Sequence, residues 1–356
     1  MKRKLFAALV LLLSLMLLAP SALAAPDLSE DHRFYDEITY LMDKGIVTGY
    51  SNGTVQPDRV VTRAEAAIMI GRLKGFSGEQ VATPFSDVPS GHIASGYIAE
   101  SVEAGLLSGY PNGTYQPDAP IIRGDMAIIL QRVFNLGMRM DEEFTDVSHN
   151  MKAYWPIENL LAASITIGYP DGTFRPLDNV TRGQFSAFLA RGLEPKFQND
   201  ARIPDSYLRD KTKTYVMTGS GDTLTYVYKK HSLNEGMAPE FMWVVSSKAG
   251  SLDSAIVERE SFTSYKLGFP YSETYDNLAY PVVQGKTFLV ANEGGEPERR
   301  TITAVNKTVA TPYKTFTNAT EVTGGNGMKY YYARGHGPIK TLDPNGAVIF
   351  ELADIH

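Results

Sequence analysis

Cysteine is absent from all 356 residues. That removes disulfides, thiolate catalysis and cysteine metal sites, and leaves stability to core burial. It also removes the acceptor that a lipid anchor after an apolar leader requires. Long apolar runs are missing too: the longest, residues 5–18, falls short of the roughly 20 residues that span a bilayer. Nor is there an excess of positive charge, since 34 Lys and Arg face 40 Asp and Glu, for a net charge of -6. With no overall basic field, neither nucleic acid nor an anionic membrane is an expected partner. An acidic ligand would have to be met by local positive groups.

What is present begins with Met1-Lys2-Arg3-Lys4, the apolar run, and Ala22-Leu23-Ala24. This order reads as a signal peptide over 1–24, so the mature chain is expected to be exported, without a membrane span. A composition of 43% hydrophobic and 21% charged residues suits two or three small cores.

Internal repetition sets the architecture. Three segments superimpose at offsets of 60 and then 59 residues, at 25–75, 84–135 and 143–193. Asp27, Asp87 and Asp146 open the copies. Ile38, Ile98 and Ile157 begin an apolar helical stripe that ends at Gly45, Gly105 or Ser164. The turns Gly49-Tyr50-Ser51-Asn52-Gly53-Thr54, Gly109-Tyr110-Pro111-Asn112-Gly113-Thr114 and Gly168-Tyr169-Pro170-Asp171-Gly172-Thr173 follow. A second stripe, such as Ala66, Met69, Ile70 and Leu73, marks a second helix. These stripes are core. A single copy buries too little to offset its conformational entropy, so the expectation is a pseudo-threefold all-α assembly with equivalent grooves between adjacent copies.

Each second helix opens with Thr62-Arg63-Ala64-Glu65, Ile122-Arg123-Gly124-Asp125 or Thr181-Arg182-Gly183-Gln184. The first and third are capping boxes. An arginine at the first helical position opposes the macrodipole by roughly 0.3–1 kcal/mol, so its recurrence points to an anion met from outside, shared with helix N-terminal amides. The competing reading pairs each arginine with a neighbouring carboxylate, such as the opening Asp27, Asp87 or Asp146, to tie the copies together. The turn glycines serve positive φ first, while Tyr50, Tyr110 and Tyr169 are placed to stack on a sugar face. No calcium loop or other metal site is expected, and no cofactor.

These copies resemble S-layer homology domains, in the three-repeat arrangement found on exported proteins of Gram-positive bacteria. The resemblance covers about residues 25–193. It implies a pseudotrimer whose grooves bind secondary cell-wall polysaccharide, often with a pyruvate ketal, and a location at the cell wall. By position it makes Arg63, Arg123 and Arg182 the carboxylate binders. Asp27, Asp87, Asp146, Gly49, Gly109 and Gly168 line or shape the grooves. The family's usual tryptophan near the start of the first helix is replaced by Arg33 and Ile93 in two copies, and Trp155 lies out of register in the third. Because Ile122 cannot cap, Arg123 is expected to matter less for binding than Arg63 or Arg182.

Residues 194–204 read as a linker. Over 205–356 the β-branched or aromatic runs 223–228, 241–245, 287–290, 301–305, 328–333 and 347–352 predict an antiparallel all-β domain. It carries no standard hydrolase signature, and His336 reads as a turn residue. Glu258, Glu260, Glu273 and Asp276 are the residue types of a carboxylate-pair glycosidase. A noncatalytic wall-anchored protein is the favoured expectation, with an anchored carbohydrate-active enzyme as the alternative.

Overall fold

The computed structural model describes residues 25–139, 144–233, 237, 239–250, 253–271, 274–292 and 295–356. The expected leader over 1–24 and the candidate carboxylate Glu273 lie outside the described residues, as does the side chain of Asp276.

Two helices come from each copy: α1 (Tyr35–Asp43) and α2 (Arg63–Lys74), α3 (Ser95–Glu103) and α4 (Arg123–Phe134), α5 (Tyr154–Ala162) and α6 (Arg182–Leu193). Thr62 and Thr181 form the expected capping boxes, whereas Ile122 makes no side-chain cap. The helices pair between copies: α2 packs on α3, α4 on α5, and α6 returns to α1. The same cyclic order holds along the axis, where Val61 N donates to Val180 O, Val180 N to Ile121 O and Ile121 N to Val61 O, at 2.9–3.0 Å. No copy therefore completes its own core. Ile38, Ile98 and Ile157 are all fully buried.

The stretch 194–204, expected as a linker, holds a short helix α7 (Pro195–Gln198) and is docked. Phe197 packs on the Tyr40 ring at 5.0 Å between centroids, and the Tyr40 hydroxyl donates to Glu194.

Twelve strands follow among the described residues: β1 (Thr214–Gly219), β2 (Asp222–His231), β3 (Glu240–Ser247), β4 (Asp253–Glu260), β5 (Ser264–Gly268), β6 (Thr274–Ala279), β7 (Thr287–Asn292), β8 (Gly295–Ala310), β9 (Thr315–Gly324), β10 (Lys329–Ala333), β11 (Gly337–Leu342) and β12 (Val348–Ile355). Each pairs antiparallel with its sequence neighbour, and β1 pairs with β12, leaving only β6 and β7 unpaired with each other. Those two strands still approach, so the meander rolls into a near-barrel. Tyr207 and Leu208 cluster with Tyr265 of β5, Ile302 of β8, Val322 of β9 and Tyr332 of β10. Contacts to both halves of the ring place this segment inside the roll.

The two regions share one apolar core. Met242, Ala255 and Val257 of β3 and β4 join the helical cluster that contains Leu160, Leu161 and Ile165. Helix α5 is consequently buried nearly all round, whereas α1 and α3 bury one face. Polar contacts seal the rim: Glu240 accepts from the Gly137 and Met138 amides at 3.1 and 3.2 Å, and Tyr228 donates to Gln198 at 2.6 Å.

Candidate functional site

The motif arginines reach across copies. Arg63 donates through Nε to Tyr115 O (2.8 Å) and through Nη2 to Ser108 O (2.9 Å), while its guanidinium lies over the Tyr110 and Tyr115 rings at 5.0 and 4.6 Å. Arg123 repeats this one copy on, donating to Phe174 O at 2.8 Å over the rings of Tyr169, Phe174 and Phe188. Arg182 closes the cycle on the first copy, with Thr48 O at 2.6 Å and the Tyr50 ring at 5.0 Å. Each arginine is at least nine-tenths buried. Burial pulls the Arg123 and Arg182 guanidinium groups down from their usual range, with Tyr169 and Tyr50 opposing it.

The opening aspartates do something else. Asp27 accepts from the Val55 and Gln56 amides, Asp87 from Tyr115 and Gln116, and Asp146 from Phe174 and Arg175, all at 2.7–2.9 Å. Gln56, Gln116 and Arg175 have φ of 55°, 58° and 61°, a left-handed conformation costing roughly 1–2 kcal/mol that paired charge-assisted hydrogen bonds offset. The aspartates are thus clamps within a copy, and the neighbouring carboxylate that does approach a motif arginine is Asp125, 3.8 Å from Arg63. Burial acts to raise the Asp27 and Asp87 carboxyls, but the amide bonds outweigh it and hold both below the usual 3.8.

A second correction concerns the helix N-termini. Their first two amides are already spent: Arg63 N and Ala64 N donate to Ala119 O and Pro117 O, Arg123 N and Gly124 N to Asp178 O and Pro176 O, and Arg182 N and Gly183 N to Arg59 O and Pro57 O. The third amide is taken by the threonine cap in α2 and α6 but not in α4, which has no side-chain cap, so side chains must supply most of any anion contact.

The grooves are also unequal. A pocket of about 260 Å³ opens beside the second copy's turn, lined by Arg63, Ser108, Gly109, Tyr110, Pro111, Asp125, Arg132 and Lys152 among others. It gathers three cations and one carboxylate, with Arg63 Nη1 3.8 Å from Asp125. Gly109 is required here, because a Cβ would fall 2.1 Å from the Phe85 ring. Gly49 and Gly168 hold the same place before Tyr50 and Tyr169 in the other two turns. Trp155 does not line this pocket; it is exposed, with Arg139 over its ring at 4.0 Å. Arg132 and Lys152 were missed from sequence, although Arg72, Arg132 and Arg191 each lie nine residues after a motif arginine, a recurrence the repeat register already contains.

In the β domain, Glu258 is fully enclosed, accepting from Arg209 at 3.2 Å, from Trp243 at 2.8 Å and from Tyr265. Glu260 is 3% exposed and accepts from the Tyr207 amide and the Tyr280 hydroxyl; burial pushes its carboxyl up. Both carboxyls are thus enclosed and engaged by core partners. His336 bonds its own turn through Nδ1 to Arg334 O. Among the described residues no group of three or more His, Cys, Asp or Glu is gathered for a metal, and no helix is long and apolar enough to cross a membrane.

Comparison with known proteins agrees with this geometry. The S-layer homology domain family matches residues 26–67, 84–127 and 143–186, the segments that form the cyclic helical unit. The chain is 33% identical over 165 residues (42% of its length) to cell surface glycoprotein 1 of Acetivibrio thermocellus, and 35% identical over 156 residues (41%) to the cellulosome-anchoring protein of the same organism. It is 30% identical over 172 residues (46%) to an amylopullulanase of Thermoanaerobacterium thermosulfurigenes. These matches span 7%, 35% and 9% of those proteins. Three segments of the chain thus match the S-layer homology domain, and a β-rich domain follows them. These matches indicate a location at the cell wall or cell surface.

Proposed function

We propose that the repeats over 25–193 hold the protein on the wall by binding an acidic, pyruvylated secondary polysaccharide, and that residues 205–356 form the domain displayed there. The observation that carries this reading is the Arg63 pocket, where Arg132 and Lys152 join a motif arginine beside an exposed tyrosine. An ammonium and two guanidinium groups at the edge of a shallow groove suit a carboxylate on a sugar. The β domain is read as noncatalytic, since its best-placed carboxylates are committed to its core.

The test is co-sedimentation of the mature chain with purified wall sacculi. Binding is expected to native sacculi and to be lost on sacculi stripped of secondary polysaccharide. Retention on sacculi that keep the polysaccharide but lack the ketal would show that the acidic substituent is not what is recognised. Because the recognition is ionic, binding should fall as salt rises.

A further inference from the structure

The three grooves occupy matching places in the cycle, but their side chains differ in what they leave free. We infer that only the groove of Arg63, Tyr110, Arg132 and Lys152 takes the acidic sugar, and that the other two are closed by the protein's own side chains. This rests on the proposed polysaccharide binding.

Tyr110 is 38% exposed, whereas Tyr50 and Tyr169 are half-buried. The cause is visible in each turn. Arg175 lies over the Tyr169 ring at 3.9 Å and is held there by Asp171 at 2.9 Å. Arg59 lies over the Tyr50 ring at 5.0 Å and bonds its hydroxyl, which donates in turn to Glu65 at 2.6 Å. In the second copy the matching positions are Gln116 and Ala119, and neither brings a charge to Tyr110.

The remaining cations follow the same division. Arg132 and Lys152 line the pocket, and neither is in an ion pair among the described residues. Of the counterparts of Arg132, Arg72 is bonded to Thr48 at 3.0 Å and Arg191 faces Glu37 at 3.9 Å and donates to Ile165 O. The counterparts of Lys152 are Arg33, which lies over Phe34, and Ile93, which carries no charge. Lys152 comes from the third copy, Arg63 from the first and the turn from the second, so the open groove needs all three. Its volume of about 260 Å³ lies below the roughly 300–1,000 Å³ of drug-sized sites and suits one substituted sugar residue rather than a longer run of glycan.

The experiment is calorimetric titration of the mature chain with a methyl hexoside carrying a 4,6-pyruvate ketal. One site per chain is expected. Lys152→Ala should weaken it about tenfold, the loss of one charge-assisted hydrogen bond. Arg33→Ala and Ile93→Ala, at the matching exposed positions, should leave affinity unchanged, and all three variants should melt as the parent does. Two or three sites per chain, or equal losses from the three substitutions, would overturn the inference while leaving polysaccharide binding intact. No binding of the ketal sugar by the parent chain would overturn the acidic-sugar reading itself.

Discussion

The repeats and the β domain both bury arginine, and they do so to opposite ends. Arg63 in the repeats has its hydrogen bonds to backbone carbonyls and its faces on aromatic rings, and its Nη1 reaches the groove, 3.8 Å from the exposed carboxylate of Asp125. Arg209 in the β domain is 2% exposed and matched by an internal carboxylate, Glu258. There burial acts to lower the guanidinium pKa and the Glu258 charge outweighs it. A buried guanidinium is available to a ligand only where neutral groups hold it and part of its fork is left open. Where a carboxylate neutralises it, the pair belongs to the scaffold.

The sharpest way to break this comparison is Glu258→Gln. It leaves Arg209 enclosed without a countercharge, which is expected to cost about 3–5 kcal/mol of stability by denaturant titration. A loss under 1 kcal/mol would mean that Arg209 is better solvated than its surroundings suggest. Arg63→Ala should act mainly on binding, by about 1.5–3 kcal/mol toward the ketal sugar, beyond the melting loss expected from its two carbonyl bonds and two ring contacts. Arg123→Ala is expected to reverse that balance. It removes a cation packed on three rings, worth about 2 kcal/mol when desolvated, and affects binding less. Equal binding losses at both positions would contradict the difference between their grooves.

A third test uses pH. Lys211 is fully buried over the Tyr228 ring, near Arg202, Arg259, Glu258 and Glu260, and burial followed by Arg202 pushes its ammonium down to about 7. An unfolded lysine keeps its proton up to about 10.4. Between these values the unfolded chain binds one proton more, so stability should rise with pH from about 7 toward 10. Lys211→Met should flatten that rise, and an unchanged slope would show that Lys211 stays charged in the fold. The smallest effect expected is at the caps. Thr62→Ala and Thr181→Ala should each cost about 1 kcal/mol, and Ile122→Thr should recover a similar amount; thermal melts of the three variants would check this.

The helical half was legible because its apolar spacing repeats three times and its turns carry glycine and asparagine where the backbone needs them. Gly113, with φ of 79°, is one such place. Only half the strands were legible. β4 reads as Asp253-Ser254-Ala255-Ile256-Val257-Glu258-Arg259-Glu260, and its charged end conceals a buried strand because the countercharge, Arg209, comes from a segment far off in sequence. The docking of the two regions was missed for a different reason. Leu160, Leu161, Ala162 and Ala163 run without a polar residue at the helix end, the sign of a helix covered on every side, but periodicity alone does not say what covers it. At the site, the motif arginines were found as a pattern, whereas the spent amides of α2, α4 and α6 depend on carbonyls from another copy that no local reading places. The expectation of equivalent grooves failed for a related reason: it followed the shared motif, while Arg59, Arg175 and Lys152 stand outside it.

The hydrogen bonds that pass from Val61 to Val180, to Ile121 and back to Val61 fix the number of copies. Most tandem repeats stack in an open row, where a unit is gained or lost at an end and the rest persists. Here there is no end. Removing any one copy would leave an arginine without its turn, a turn without its arginine and a helix without its mate, all at once. A fourth copy would find no vacancy unless the axis widened. Length in such an array can change only by whole rings, so duplication of this anchor must proceed three domains at a time.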